Sequence, residues 1–373
     1  MKVLVATGAL GEGHDAAARA VTEAFLAAYP GCETRTVETM RLMGRTVASG
    51  TRWSYVLGVG PFGACYQLFF DAVWRFRWFA EAIVRFVGRR AGPALERQIV
   101  ACAPDLVVST FPMASAGFAW LRRRGRLPVP ALAVVPDFAP HPFWVLPELD
   151  LHLVSHTVCL ADVARVSASA SAKVSTAPVA RRFTPAPEAS PRKEVRLLAT
   201  FGGLGLGRVE ALVRAASEAH PRVRLVVVCG RNERLRRRLA RLDRGDGRLD
   251  VRGWVDDMPA VLRSVDVVIN NAGGASALEA LACGLPTLLA DPVPGHGRAN
   301  ARRMEEAGLA TVCPTPADLA REVRRLAVDG AYRERLRRDA ARYAADRDLA
   351  ADLRHAVDPL LAESATRASS GPS

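Results

Sequence analysis

The chain has 373 residues, half of them hydrophobic, and carries 51 Lys and Arg against 38 Asp and Glu for a formal charge of +13. That length admits two domains with separate cores, and the charge points to a polyanion or an anionic membrane as a partner class without choosing between them. Seven cysteines with no CxxC pair fit reduced thiols in a cytoplasmic compartment and argue against a disulfide scaffold.

The first residues read as a buried strand (2–6) with no cleavage-site pattern, so no signal peptide is expected. A glycine loop, a helix at 15–28 and a strand at 34–38 follow. Residues 51–90 break this rhythm, and the apolar run 56–70 holds Pro61 and is too short to span a bilayer. Strands are expected at 106–109, 131–135, 151–154 and 173–176. The segment 177–194, rich in Pro and charge, reads as a linker. Alternation then restarts, with strands at 195–200, 224–229, 249–251, 265–269 and 286–290 and helices at 208–219, 232–242, 258–263, 276–283 and 298–307. Residues 317–345 read as charged helix and 348–361 as one more, before a tail expected to be disordered. Short apolar strands separated by helices imply parallel sheets covered on both faces. The expected class is therefore α/β, two doubly wound domains facing across a cleft. The boundaries are 1–180 (with a membrane-facing segment 51–90), the linker 181–194, a second domain 195–345, and a helix with tail at 346–373.

Strand–glycine–helix units recur near residues 8–14, 200–208 and 269–276. A helix that opens on small residues at the carboxyl end of a parallel strand points N–H groups and its positive dipole end at a ligand, a geometry suited to anions. The first loop, Gly8 to His14, lacks the dinucleotide pattern G-x-G-x-x-G, so a nicotinamide or flavin enzyme is poorly supported. His14 stands at a helix start, where the dipole favours the neutral imidazole that a general base requires; the alternative is a loop histidine bonded to backbone. Asp137 and His141 lie just after a buried strand, placed to act on a hydroxyl or to cap a turn. Spacing among His14, Asp137, His141, His152 and His156 is too loose to predict a metal site.

Three of the six tryptophans, Trp53, Trp74 and Trp78, fall in the stretch 53–90. Read as one helix over 71–90, it has an apolar side of Val73, Phe76, Phe79, Ala80, Ile83, Phe86 and Val87. The opposite side carries Trp74, Arg77, Trp78, Arg85 and Arg89, a mixture that suits a lipid headgroup layer. A core helix whose tryptophans pack on a neighbour is the other reading.

Taken together, the motifs resemble glycosyltransferase family 28, in particular its monogalactosyldiacylglycerol synthase and processive diacylglycerol glucosyltransferase group, with a more distant likeness to MurG. Gly11-Glu12-Gly13-His14 resembles the family's GGGH loop, and residues 134–144 its T-D-x-x-x-H-P-x-W loop with Pro136 for Thr. Residues 177–183 resemble the G-x-P-V-x-x-x-F linker, 201–207 the second glycine loop, and 227–235 the V-x-C-G-x-N-x-x-L stretch. Residues 270–286 and 292–300 resemble the donor-binding motifs, and the likeness covers nearly the whole chain.

The resemblance implies a GT-B fold in which a UDP-sugar binds the second domain and a lipid hydroxyl enters through the first. It implies His14 as base, helped by Asp137, in an inverting displacement. It places the base against Gly253, Trp254 and Val255, the ribose on Glu279, and the diphosphate against Gly273, Gly274, Ala275 and Ser276. Gly13, Gly203, Gly205, Arg231, His296 and Asn300 complete the implied donor site, and His141, Trp74 and Trp78 the acceptor or membrane-facing side. No cofactor and no bound metal are implied. The expected partners are a UDP-sugar, a lipid acceptor and an anionic membrane surface, not nucleic acid, for a peripheral enzyme on the cytoplasmic face of the membrane.

Two departures stand out. His296-Gly297 replaces the Gln-Glu that reads sugar hydroxyls, which implies altered or relaxed donor choice, and Asn271 replaces a lysine, leaving Arg208, Arg231 or Arg298 to supply its charge. Glu279 has a second reading as the far half of a capping box with Ser276. A nonhydrolysing sugar-nucleotide epimerase and a non-catalytic anionic-lipid-binding protein are the competing functions.

Overall fold

The computed structural model describes residues 1–8, 12–186, 194–202, 205–271, 273–345 and 347–369. The chain begins with β1 (Lys2–Thr7), α1 (Glu12–Ala28), β2 (Glu33–Glu38), α2 (Thr39–Leu42), α3 (Arg45–Val59), α4 (Gly63–Arg75), α5 (Arg77–Cys102) and β3 (Leu106–Ser109). It continues through α6 (Pro112–Arg123), β4 (Ala131–Val135), β5 (Leu151–Val154), α7 (Val158–Val166) and β6 (Ala172–Val174). After the linker come β7 (Val195–Thr200), α8 (Val209–Glu218), β8 (Val223–Val228), α9 (Glu233–Ala240), β9 (Leu249–Arg252), α10 (Met258–Arg263) and β10 (Val267–Asn270). The last elements are α11 (Ala275–Ala282), β11 (Thr287–Ala290), α12 (His296–Glu306), β12 (Ala310–Cys313), α13 (Pro316–Val328), α14 (Gly330–Ala345) and α15 (Leu349–Ser369).

The strands form two six-stranded sheets, β2-β1-β3-β4-β5-β6 and β12-β11-β10-β7-β8-β9, and every pairing is parallel. In each sheet the strand order reverses beside the unit's first strand, between β1 and β3 and between β7 and β10. Such a switch point opens a crevice at the carboxyl ends of the strands, where the connecting loops diverge to opposite faces. The inner strands β1, β3, β4, β7, β10 and β11 read as near-continuous apolar runs because helices cover them on both sides. Helix starts follow local chemistry: Pro112 and Pro259 occupy first turns, and Thr315 with Asp318 makes a capping box on α13.

The chain divides into two compact units, one of residues 1–55, 67–180 and 348–373, the other of 56–66 and 181–347. The sequence expectation kept 51–90 in the first domain, whereas residues 56–66, the end of α3 through the start of α4, count with the second unit. The final segment, expected to stand apart, joins the first. Leu349, Leu353, Ala356 and Val357 of α15 enter that unit's core beside Val21 and Phe25, and the Tyr29 hydroxyl donates to Asp358 at 2.6 Å. A buried leucine such as Leu353 contributes about 1.5–3 kcal/mol. The helix also runs on to Ser369, through most of the tail expected to be disordered; residues 370–373 lie outside the described residues, as does much of the linker.

Two further elements differ from expectation. The strand β12 was not read from the sequence; it is an edge strand, and only Cys313 of its four residues is buried. The helix expected over 71–90 is the end of α4 and the start of α5, broken at Phe76, and α4 is itself bent by 106° from α3. The buried positions of α5 include Gly88, Ala91, Gly92 and Leu95, which face α6, whereas Phe76 and Phe86 are exposed. The glycine and alanine positions let α5 approach α6 closely, and that contact overrides the aromatic periodicity.

Candidate active site

In the first unit, the crevice end of the sheet gathers three polar side chains, His14, Asp137 and His141, around an aromatic wall. Gly8 follows β1; a Cβ there would lie 2.2 Å from the Phe111 ring, so only glycine lets Phe111 seat against the end of the strand. His14 lies in the first turn of α1, with Nδ1 3.0 Å from the Thr110 carbonyl oxygen across the β1–β3 switch. Nδ1 must carry the proton to donate to that carbonyl, which leaves Nε2 as the basic nitrogen. The ring packs edge-on against Phe111 at 5.1 Å and tilts toward Trp144 at 6.0 Å. Burial pushes its pKa below the ordinary 6.5, against the opposing pull of Asp137.

Asp137 is buried and accepts from the Trp144 indole N–H at 2.7 Å, while His141 Nε2 stands 3.7 Å from the same carboxylate oxygen. His141 is held edge-on by Phe70 and Phe143 at 5.4 and 5.5 Å. Sequence reasoning assigned no role to Thr110, Phe111 or Trp144. Trp144 closes the 134–144 motif, and its spacing from Asp137 was the available signal; Thr110 and Phe111 come from a different strand and left none. Trp74 does not face outward as expected, because the Arg165 guanidinium of α7 covers its ring at 4.3 Å. Trp78 is 70% exposed. Gly13 sits inside the first turn of α1, in the same unit as His14.

In the second unit the corresponding crevice is built mainly from main chain. Asn271, standing where a lysine was expected, donates from Nδ2 to the Leu206 carbonyl at 2.7 Å and so ties the 205–207 turn, with Gly205, to the end of β10. Gly203 lies outside the described residues. The helix α11 opens one residue earlier than expected, with Gly274 as N-cap. Ala277 and Leu278 donate to the Gly274 carbonyl, so the first helical N–H groups belong to Ala275 and Ser276. The Gly273 N–H does not join them, since it donates to Asn270 Oδ1 at 3.2 Å. Gly273 instead shapes the turn: φ is +62°, and a Cβ would come 3.0 Å from Asn300. Asn300, fully buried, is thus part of the packing that holds the loop. With the helix starting at Ala275, the half-buried Glu279 is the fifth helical residue, too far along for the capping box with Ser276.

Two more expected donor residues meet beside β9. The Arg231 guanidinium lies over the Trp254 ring at 4.3 Å, and the Trp254 indole donates to Asp256 at 2.8 Å. Arg231 is therefore paired with the 253–255 loop, not with the turn before α11. Gly253 and Val255 flank the tryptophan and are half-buried. Arg208 is engaged by Asp291 at 2.8 Å. His296 opens α12 after the N-cap Gly295. Among the described residues no group of three or more His, Cys, Asp or Glu side chains could hold a metal ion.

Comparison with known proteins bears on both units. Residues 14–170 match the family model described as monogalactosyldiacylglycerol (MGDG) synthase, and residues 196–329 match that of glycosyl transferases group 1. The processive diacylglycerol beta-glucosyltransferase of Bacillus subtilis (strain 168) is 27% identical over 343 residues, covering 88% of this chain and 87% of the relative. The enzyme of the same name from Bacillus pumilus (strain SAFR-032) is 26% identical over 348 residues, with 88% and 87% covered. Among solved structures, Acinetobacter baumannii MurG superposes with a TM-score of 0.59 at 17% identity, covering 96% and 98% of the two chains. A Streptomyces sp. SF2575 glycosyltransferase complexed with thymidine diphosphate gives 0.60 at 19%, with 95% and 99% covered. Both support a GT-B fold and say nothing finer. With two parallel doubly wound sheets and these matches along most of its length, the chain is a GT-B glycosyltransferase, and it is similar to the monogalactosyldiacylglycerol synthases and the processive diacylglycerol glucosyltransferases.

Proposed function

We propose that the enzyme moves a hexose or amino-hexose from a UDP-sugar to a lipid hydroxyl, with inversion at the anomeric carbon. The observation that carries this reading is the partly buried His14, fixed in one tautomer by the Thr110 carbonyl and kept neutral by its surroundings. Nε2 takes the proton of the acceptor hydroxyl as that oxygen bonds to the anomeric carbon and the bond to the diphosphate breaks. The imidazolium so formed is stabilised by Asp137, whose negative charge raises the His14 pKa. The departing diphosphate, with its new negative charge, is received by the amides of Ala275 and Ser276 and the positive end of α11. Neither step calls for a bound metal or cofactor.

Glu279 holds the ribose hydroxyls in this reading, and Trp254 with Arg231 forms a flat wall for the base. His296-Gly297, in place of Gln-Glu, shifts donor choice away from a strict requirement for galactose. The B. subtilis relative is named for diacylglycerol, and a diacylglycerol, a glycolipid or a polyprenyl-linked intermediate is the acceptor class proposed here. The stretch 45–90 suits attachment to an anionic bilayer, with Trp53, Leu57, Phe62, Leu68, Trp78 and Phe86 exposed and seven arginines against two acids. No single helix among the described residues is long and apolar enough to cross a membrane. We therefore place the enzyme peripherally, on the cytoplasmic face.

The test is a panel of radiolabelled UDP-sugars incubated with extracted lipid, with the product analysed for a sugar–lipid bond and its anomeric configuration. One or more donors should label lipid with inverted configuration. Retained configuration would end the single-displacement scheme, and no labelling with any donor, together with no UDP uptake by calorimetry, would end the proposal.

A further inference from the structure

Residues 56–66, the end of α3, the turn and the start of α4, count with the second unit. Tyr66, in the first turn of α4, has its hydroxyl 3.5 Å from His296 Nδ1, at the outer limit of hydrogen bonding, and its ring edge-on to the imidazole, with centroids 6.4 Å apart at 88°. Three residues earlier Gly63 lies against the Pro294 ring, where a Cβ would come within 2.9 Å. The 63–66 stretch thus contacts both sides of the Gly295 N-cap that opens α12. One turn further along that helix, Asn300 packs on Gly273, the turn that sets the start of α11. Tyr66 is therefore linked, through α12, to the turn that precedes the main chain assigned to the diphosphate.

The same hairpin presents exposed apolar side chains. Trp53 and Leu57 on α3, Phe62 in the turn and Leu68 on α4 are exposed, with Arg52 next to Trp53 and Arg75 at the end of α4. This mixture of apolar and cationic groups is complementary to an anionic lipid surface. A segment that seats on lipid and also touches His296 can pass the seating on, because the packed contact has few arrangements available to it.

We infer that Tyr66 is a positioning residue for His296 and that, through it, seating of the α3–α4 hairpin on an anionic bilayer sets the affinity for the sugar donor. This rests on the assignment of the second unit to donor binding. Tyr66 takes no part in proton transfer; it holds the imidazole in the orientation that meets the sugar. The lipid surface acts on donor KM, leaving kcat to His14.

The test uses the full chain and Tyr66→Phe, which keeps the ring and removes only the hydroxyl. With histidine labelled in its ring nitrogens, the His296 signal, identified by its loss in His296→Gln, should move in Tyr66→Phe; an unchanged signal overturns the inference. Vesicles of phosphatidylglycerol in phosphatidylcholine should lower the wild-type donor KM by about threefold, the scale of one weak hydrogen bond. In Tyr66→Phe that response should vanish with kcat kept within about twofold. An equal response in both proteins overturns the coupling. If UDP does not bind at all, the donor assignment itself falls, and the imidazole signal still decides whether Tyr66 positions His296.

Discussion

The crevice ends of the two sheets are furnished differently. In the first unit the groups that matter are side chains, His14, Asp137, His141 and Trp144, each braced by an aromatic ring or a carbonyl. In the second they are mostly main chain, the turn at Gly273 and Gly274 and the first amides of α11, braced by Asn270, Asn271 and Asn300. A proton can be removed only by a group with a suitable pKa, so the acceptor side needs a titratable side chain held in one tautomer. A diphosphate carries several negative oxygens, and fixed amides at a helix start meet them without the entropy loss of long cationic side chains. On the function proposed above, the difference follows from the two jobs, and it accounts for how the second unit dispenses with the lysine that Asn271 replaces.

The division can be broken most sharply at His14. Replacing it with Ala should lower kcat by about 10²–10⁴-fold, the usual contribution of a general base, while UDP binding by calorimetry stays unchanged. A parallel loss of UDP affinity would mean that the two ends are not separate in function. On the other side, Gly273→Val forces a β-branched residue to a φ of +62° with its Cβ 3.0 Å from Asn300. It should cost about 1–3 kcal/mol of stability in chemical unfolding and weaken UDP binding by about tenfold, that is, about 1.4 kcal/mol. Unchanged UDP binding would dissociate the turn from the donor.

Trp144→Phe tests the brace within the first unit. It removes the N–H that Asp137 accepts, and leaving a buried carboxylate short of a donor costs about 1–3 kcal/mol. We expect lower thermal stability and reduced kcat, with donor KM unaltered; a change in donor KM alone would contradict the arrangement.

The smallest effect is expected with pH. His14 and His152 both titrate below the ordinary 6.5 in the folded chain, because burial disfavours the imidazolium. Below 6.5 the unfolded chain therefore binds more protons than the folded one. Stability should be fully present above 6.5 and decline as pH falls toward the folded pKa values, with a shallower decline in His14→Gln. Denaturant titrations from pH 7.5 to 5 would show it, and a stability that rises on acidification would contradict the assignment. The same sign governs catalysis, whose acid limb should lie below 6.5.

Legibility differed between the two regions. The second unit could be read closely because its site is local: strand, glycine turn and helix are contiguous, and the anion-binding geometry is contained in one stretch of about twenty residues. Even there the sequence misplaced details. Gly273 spends its N–H on Asn270, Arg231 stacks on Trp254, and α11 starts one residue early, leaving Glu279 outside any capping box. Each depends on which of several nearby partners a polar group finds. The aromatic stretch was harder to read, since its helices alternate between contact with α6 and exposure, with a break at Phe76 that no proline marks.

By itself the sequence determined two parallel-sheet units, the order of their loops, and the residue types at their crevice ends, because apolar periodicity and glycine placement are properties of contiguous chain. Only the tertiary structure decided that Thr110 fixes the His14 tautomer, that Trp144 braces Asp137, that α15 completes the first core, and that Tyr66 meets His296. In three of these four the partners are more than ninety residues apart or come from different elements. Even the Asp137–Trp144 pair, close in sequence, needs the loop after β4 to fold back before its hydrogen bond can form.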